Sequence, residues 1–363
     1  MLLKGFFWNN TYQQVRAIHE DQYTALPKDA ADVLDIDGTN RYACKFMTSL
    51  NRGYLYSMPA LKDDSLLVFS IIIPTYNYSM TLGRAIDSVL EQGGDDYQVV
   101  IIDDGSTDDT SSVAASYCRR FPEKISYHLQ ENQGPAAARN NGVTASRGEY
   151  IFFLDADDEM ALGILEILRQ RVQRAGNVDL IIGDHISVNT DGRTSYSTTN
   201  TLPETREQRF LAYLTKKLNL AHCAKLVHRS VFDRVSYPVD LRSSEDIPFV
   251  AHVLALYDCE LMNVPMAVMH KHDDSLRHNT AYTRLVGEKV VDCIFSYDLL
   301  PDWAAKYERI YRARRCLSVF RTLYLSGNTR EGLPFYKKAL LLSPFLALRF
   351  SYIKKVIGAW VSG

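Results

Sequence analysis

Between Val68 and Asp155 the chain passes four times through a short apolar run, and this alternation constrains the fold more than any other feature. The runs are VFSIIIP (68–74), QVVIID (98–103), KISYHL (124–129) and EYIFFLD (149–155). Short continuous runs of this kind, rich in β-branched and aromatic residues, are typical of strands buried on both faces of a parallel sheet. The segments between them carry helical signals. Thr81 is placed to cap a helix with Leu82, Ala85, Ile86, Val89 and Leu90 on one face. Ser106 or Thr107 is placed to cap a second, with Asp108 and Asp109 in its first turn. Gly134–Ser146 reads as a third helix. The order β-α-β-α-β-α-β predicts an α/β fold, a parallel sheet with helices on both faces. Ligands of such sheets bind beyond the carboxyl ends of the strands, near a switch in strand order. Three turn-forming clusters fall at that edge: Pro74-Thr75-Tyr76-Asn77, Asp103-Asp104-Gly105-Ser106 and Asp155-Ala156-Asp157-Asp158. Turns are needed there in any protein of this class; five acids are not.

After Asp158 the pattern loosens. A helix is expected near Leu162–Ala175, a strand at Val178–Gly183 and a hairpin loop at Asn189-Thr190-Asp191-Gly192. Further helices are expected near Glu204–Leu218 and Asp246–Leu256, and a strand at Met266–His272. From Tyr282 the chain reads as helical, and a helix pair around Gly327–Leu342 hints at a single tetratricopeptide-like hairpin. Residues 1–66 carry no motif and form an extension of open role. A length of 363 residues suits two domains, or one large α/β domain with an added lobe. With 46% apolar and 23% charged residues, disordered, collagen-like and polytopic membrane chains are excluded. The six cysteines show no CxxC pair and no metal-ligand spacing with histidine, so they read as reduced thiols of a cytosolic protein. The N-terminal apolar stretch meets polar residues by Asn9, too early for a signal peptide.

The clusters suggest chemistry, each against a plainer alternative. Asp155, Asp157 and Asp158 share one turn, and carboxylates so close repel unless a hard cation holds them. Oxygen-only ligands suit magnesium or manganese, which can bridge a diphosphate and stabilise it as a leaving group; the alternative is a solvated acidic loop before the next helix. Asp104 can accept from a base or ribose, or serve a helix N-terminus. Gly134 at a helix start lets backbone approach a phosphate, and Arg139 either meets that phosphate or pairs with an acid to lock the sheet.

The series SIIIPTYN, SVLEQ, VVIIDDGSTDDT and ENQGPAAARNNGVTASRGEYIFFLDADD, in this order and spacing, resembles the donor half of the inverting family-2 glycosyltransferases. The resemblance covers roughly Val68–Asp158. It implies a GT-A, Rossmann-like nucleotide-binding sheet with a mixed acceptor half and a C-terminal helical lobe. The corresponding divisions are 67–160 for the donor half, 161–280 for the acceptor half and 281–363 for the lobe. A nucleoside diphosphate sugar, UDP first, is the implied donor. The turn Pro74, Thr75, Tyr76 together with Asp104 is implied to hold base and ribose, and Asp157 and Asp158 the metal, with Asp155 beside them. A Glu-Asp pair in the acceptor half of this family carries the general base, and RSSEDIPFV offers Glu245 and Asp246. Ser243-x-x-Asp246 is equally a capping pattern at a helix start. In MHKHDDSLRH, His272 or His270 is implied to reach the metal or diphosphate, and Arg277 to lend positive charge, although the segment departs from the usual Tyr-Arg form. The implied reaction is one inverting displacement by a hydroxyl of a glycan or lipid-linked glycan, in cell-surface polysaccharide or lipopolysaccharide synthesis. The competing expectations are a catalytically silent glycan- or lipid-binding protein on the same fold, and a nucleotidyltransferase, whose Gly-rich basic loop PTYNYSM lacks.

From Trp303 to Gly363 there are 12 Lys+Arg and 2 Asp+Glu, whereas the rest of the chain is acidic. Basic residues interleaved with bulky apolar ones suit a helix lying in the headgroup plane of an anionic membrane; a helical lobe with solvated charges is the plainer reading. No RNA- or DNA-binding motif accompanies the charge, so nucleic acid is not expected. Together these features predict a peripheral protein on the cytoplasmic face of the inner membrane.

Overall fold

The computed structural model describes residues 67–175, 178–199, 201–271, 286–295 and 299–361. The four expected strands are present as β1 (Phe69–Thr75), β2 (Tyr97–Asp103), β3 (Ile125–Leu129) and β4 (Tyr150–Phe153), all mutually parallel. Three helices link them: α1 (Leu82–Leu90), α2 (Thr110–Arg120) and α3 (Pro135–Ala145). Alternate strand residues enter opposite cores, as the two-residue pleat requires. Ile71, Ile73, Val99, Ile101 and Phe152 pack with α1 and α2. Ile72, Val100, Ile102, Ile151 and Phe153 pack with α3 on the other face. Helix α3 lies close to the sheet because its facing residues are small: a Cβ on Gly142 would stand 2.3 Å from Ile72 Cγ2.

The chain then adds β5 (Glu159–Met160), α4 (Ile164–Ala175), β6 (Leu180–Val188), β7 (Thr194–Ser197), α5 (Arg206–Leu214), β8 (Lys225–His228), α6 (Asp246–Leu256) and β9 (Cys259–His270). One sheet runs in the order β3-β2-β1-β4-β8-β6-β9-β5, with β7 paired to β6. Strand β8 is antiparallel to both β4 and β6, so it welds the parallel half to the mixed half. It has only four residues, too few to show a period, and nothing in the sequence marked it. The hairpin at Asn189–Gly192 forms as expected between β6 and β7, with Gly192 donating to the Asn189 carbonyl. Helix α5 starts later than expected, at a capping box in which Thr205 accepts from the Gln208 backbone. The strand expected at Met266 begins seven residues earlier, at Cys259, because its first half pairs with β6. The cap of α2 also differs: the helix starts at Thr110, and Asp108 accepts from the Thr110 backbone and from that of Ser79. Asp108 thus ties the α2 entry to the loop after β1, instead of lying within the first turn.

Helices α7 (Lys289–Phe295), α8 (Glu308–Leu325), α9 (Thr329–Leu342), α10 (Pro344–Ala347) and α11 (Phe350–Val361) complete the described chain. Val290, Val291 and Ile294 of α7 share a core with Phe210 and Leu214 of α5 and Ala251 and Ala255 of α6. The remaining helices have a core of their own around Cys316, Leu317, Phe320, Tyr336, Ala339 and Leu346. No helix among the described residues is long and apolar enough to cross a membrane.

Candidate active site

The reversal of strand order lies between β1 and β4, because the chain walks outward through β2 and β3 and then returns to the other side of β1. Cleft residues gather beyond these two strand ends. Asn77, which follows β1, has a φ of 60°. This left-handed turn presents its backbone N–H to Ser106 Oγ at 2.8 Å, while its side chain accepts from the Thr107 backbone at 2.7 Å. The loops after β1 and β2 are therefore stitched together, and Tyr76 is left exposed at their rim. Thr75 is buried, and its hydroxyl has no hydrogen-bond partner.

Asp104 faces inward from the β2 end. Its carboxylate accepts from Gln130 Nε2 at 2.7 Å and from the backbone of Gln133 and Gly134, both at 2.8 Å. A carboxylate has about four acceptor positions, so three are already used by the loop that leads into α3. Asp104 shapes that loop and has one position left for a base or ribose. The same bonds bear on Gly134. Its φ of 92° suits glycine, and a Cβ there would stand 3.0 Å from Arg242 Cδ, so that side chain would have to shift. Its N–H, however, is spent on Asp104, and Pro135 has none, so neither of these two residues offers a backbone donor to a phosphate.

Arg139 is the centre of the arrangement. It is carried on α3, with its side chain only 7% exposed. One guanidinium nitrogen pairs with Glu245, and another lies 3.0 Å from Asp155 Oδ1. The ring of Tyr237 stacks below it, 5.6 Å from the guanidinium carbon. Of the two roles open to Arg139, the geometry displays the ion-pairing one. It joins the acid that follows β4 to the acid that precedes α6, residues far apart in sequence. Burial opposes its charge, but Asp155 and Glu245 outweigh that and hold its pKa above the ordinary value. Glu245 is pushed up by burial, with Arg139 pulling the other way and Asp246 adding to the rise.

Asp246 is the first residue of α6, half-buried beside Glu245. Ser244, just before, takes φ of 62°, which turns the chain sharply into the helix. The expected side-chain cap is absent: the residue at the cap position is Glu245, which makes no capping hydrogen bond and points to Arg139 instead. Lys225 of β8 feels the charges of Asp246 and Asp155 from below. It is fully inside the protein, bonded to the Ala221 carbonyl, and burial brings its ammonium down to about 8.

The acids after β4 form a tight turn closed by Asp158 N–H on the Asp155 carbonyl at 3.0 Å. Asp158 is buried and accepts from the His270 backbone at 2.9 Å. Burial first, then the charges of Asp155 and Asp157, raise its carboxyl to about 8. The Asp157 carbonyl accepts from Arg84, and Tyr78 is hydrogen-bonded to its side chain. Burial and the three acids push the Tyr78 phenol well above its usual value. The His270 ring binds Glu159 Oε1 at 2.6 Å, so it braces the turn from the β9 side. His272 and Arg277 lie outside the described residues. Sequence reasoning overlooked Tyr78, Cys223 and Lys225, the last two on or beside a strand that carried no signal; Cys223 is hydrogen-bonded to Asp158.

Asp155, Asp157 and Asp158, the charges of the first two helping to raise the carboxyl of the third, fit a divalent cation by charge and by ligand type. Among the described residues no group of three or more His, Cys, Asp or Glu is already arranged around a metal position.

Comparison with known proteins bears on this geometry. Residues 70–236 match the model of the family described as "Glycosyl transferase family 2". The chain is 29% identical to the uncharacterized glycosyltransferase EpsJ of Bacillus subtilis over 192 residues, 50% of this chain and 54% of that protein. It is 39% identical over 104 residues to the GalNAc(5)-diNAcBac-PP-undecaprenol beta-1,3-glucosyltransferase of Campylobacter jejuni, 28% of this chain and 33% of that protein. The chain thus spans about half or less of the length of these curated relatives. The crystal structure of S. aureus TarS 1-349 superposes with a TM-score of 0.57 at 21% identity, covering 77% of this chain and 82% of that one. With the sheet order, the stitched β1 and β2 loops and the acidic turn after β4, these likenesses establish that residues 70–236 are a family-2 glycosyltransferase domain on a GT-A fold.

Proposed function

We propose that this chain transfers a sugar from a nucleoside diphosphate sugar, UDP first, to a hydroxyl of a glycan or lipid-linked glycan, with inversion at the anomeric carbon, in the synthesis of a cell-surface polysaccharide or lipopolysaccharide. The observation that carries this reading is the junction at Arg139. It puts Asp155, from the acidic turn, and Glu245, neighbour of Asp246, on one guanidinium. The printed names of relatives support the substrate class: the Campylobacter protein is a glucosyltransferase of an undecaprenol-linked glycan, and TarS was crystallised with UDP-GlcNAc.

In this reading Pro74, Thr75 and Tyr76 border the base, and Asp104 keeps the adjoining loop in place. Asp157 and Asp158, with Asp155 beside them, would hold a manganese or magnesium ion, which when bound offsets charge on the diphosphate. Asp246 takes the proton of the acceptor hydroxyl as the new bond forms, a step that contributes typically 10²–10⁴-fold. Glu245 is locked by Arg139, which fixes the start of α6 and so the aim of Asp246. A single in-line attack from the face opposite the diphosphate inverts the anomeric carbon. The protein acts peripherally at the membrane that carries its acceptor.

The test is a panel of nucleotide sugars with manganese or magnesium, read by thermal shift and by release of nucleoside diphosphate. Asp246→Asn is expected to keep the thermal shift with UDP and metal and to lose at least about a hundredfold in diphosphate release. Release unchanged in Asp246→Asn would remove the base assignment. Binding of a glycan with no release from any donor would favour the silent binding protein.

A further inference from the structure

The end of the helical lobe is built unlike the rest of the surface. Leu341, Phe345, Leu348 and Phe350 are exposed within ten residues, the two phenylalanines each at 81%. Phe345 and Phe350 are the exposed phenylalanines among the described residues. On α11 the outward stripe is Phe350, Lys354 and Ile357, spaced four and three residues apart, while Tyr352 and Val356 pack inward. On α9 the exposed Lys337 and Leu341 stand one turn apart. From Gly332 to Gly363 the sequence has five Lys+Arg and no Asp or Glu. A merely solvated lobe would mix both signs and would not present large apolar side chains together. Beside this face, Arg321, Leu325, Ser351, Tyr352 and Lys355 line a cavity of about 350 Å³ between α8 and α11. Its residues Ser351 and Lys355 are chain neighbours of Phe350 and Lys354.

We propose that the α9–α10–α11 face docks on an anionic phospholipid surface, with Phe345, Leu348 and Phe350 entering the acyl boundary and Lys337, Arg349 and Lys354 at headgroup level. The cavity with Arg321 and Lys355 then seats a phosphate of that surface. Charge complementarity selects this occupant: a second copy would set the same net-basic face, on which Glu331 in the first turn of α9 is the one acid in the sequence of the three helices, against itself, and like charges disfavour that pairing. The proposal rests on the peripheral association put forward above and deepens it, but it does not depend on the sugar-transfer reading.

Sedimentation of the full chain with vesicles tests it. Binding is expected to vesicles of phosphatidylcholine with about a third phosphatidylglycerol, to weaken strongly at about 0.5 M salt, and to be negligible on phosphatidylcholine alone. Phe345→Ser with Phe350→Ser should weaken binding at least about tenfold for each ring removed. Arg349→Glu with Lys354→Glu should abolish the preference for the anionic lipid. Circular dichroism checks that the variants fold, and diphosphate release from a soluble donor should be unchanged in the serine pair. Equal binding to both vesicle types, or undiminished binding of the serine pair, would overturn the proposal. So would a sedimentation-velocity dimer of the native chain that the serine pair dissociates, since a second copy would then be the occupant.

Discussion

Replacing Arg139 by methionine tests how the two halves of the site are held together. The change keeps a flexible apolar stem and removes the guanidinium with its charge. Glu245, with its side chain only 9% exposed, then has burial and the Asp246 charge acting on it with no opposing cation. Breaking a buried pair from one side costs about 3–5 kcal/mol, most of it the uncompensated partner. Asp155, with its side chain 35% exposed at 3.0 Å, adds no more than about 1 kcal/mol, because water screens it. A total near 4 kcal/mol lowers the urea midpoint by about 1–2 M. Glu245→Gln in the same background removes the stranded charge, so the double variant should recover much of the loss, with a coupling on the order of 2–3 kcal/mol. Diphosphate release should fall in Arg139→Met, because the start of α6 and Asp246 with it lose their anchor. If Arg139→Met costs less than about 1 kcal/mol, or if the two changes add without coupling, the pair does not hold the halves together and the junction argument fails.

Gly142→Ala should destabilise by about 1–3 kcal/mol in urea melts, since its Cβ would lie 2.3 Å from Ile72 Cγ2 and 3.3 Å from Ile102 Cγ1; a neutral result would mean that α3 can move off the sheet. Asp158→Asn should abolish the manganese-dependent thermal shift with UDP, yet leave the metal-free protein at least as stable, since it removes a buried carboxylate crowded by Asp155 and Asp157. Acid should weaken the fold through its buried histidines. Burial lowers the pKa of His128, whose ring nitrogens have no partners, and also that of His252, where the Ile294 carbonyl partly opposes it. Both take up a proton at lower pH when folded than when unfolded, so this contribution is intact above about pH 6.5 and is lost as pH falls below it. His128→Leu should flatten the stability profile below pH 6.5, and an unchanged slope would show that His128 is protonated in the folded protein.

The parallel half of the sheet was legible because its information is local. Strands β1 to β4 are buried on both faces, so each reads as an unbroken apolar run, and the turns at their carboxyl ends carry their chemistry in consecutive residues. The hairpin at Asn189–Gly192 was legible for the same reason. The partners of those turns were not. Asp104 looks the same in sequence whether it faces a ribose or the backbone of Gly134, thirty residues away. Arg139 looks the same whether it meets a phosphate or Glu245. Strand β8 is too short for a hydrophobic period, although its pairing with β4 and β6 brings Lys225 beneath the acids.

The sequence by itself determined the parallel half-sheet, the acidic turn after β4, the Glu245-Asp246 pair and the acid-free basic end, since spacing and composition suffice for features made of neighbouring residues. Only the tertiary structure decided which acids share Arg139, how few of the lone pairs of Asp104 remain open, and that Phe345 and Phe350 face outward. Those outcomes depend on which distant surfaces the sheet order and helix packing bring within hydrogen-bonding reach, and no local pattern encodes that.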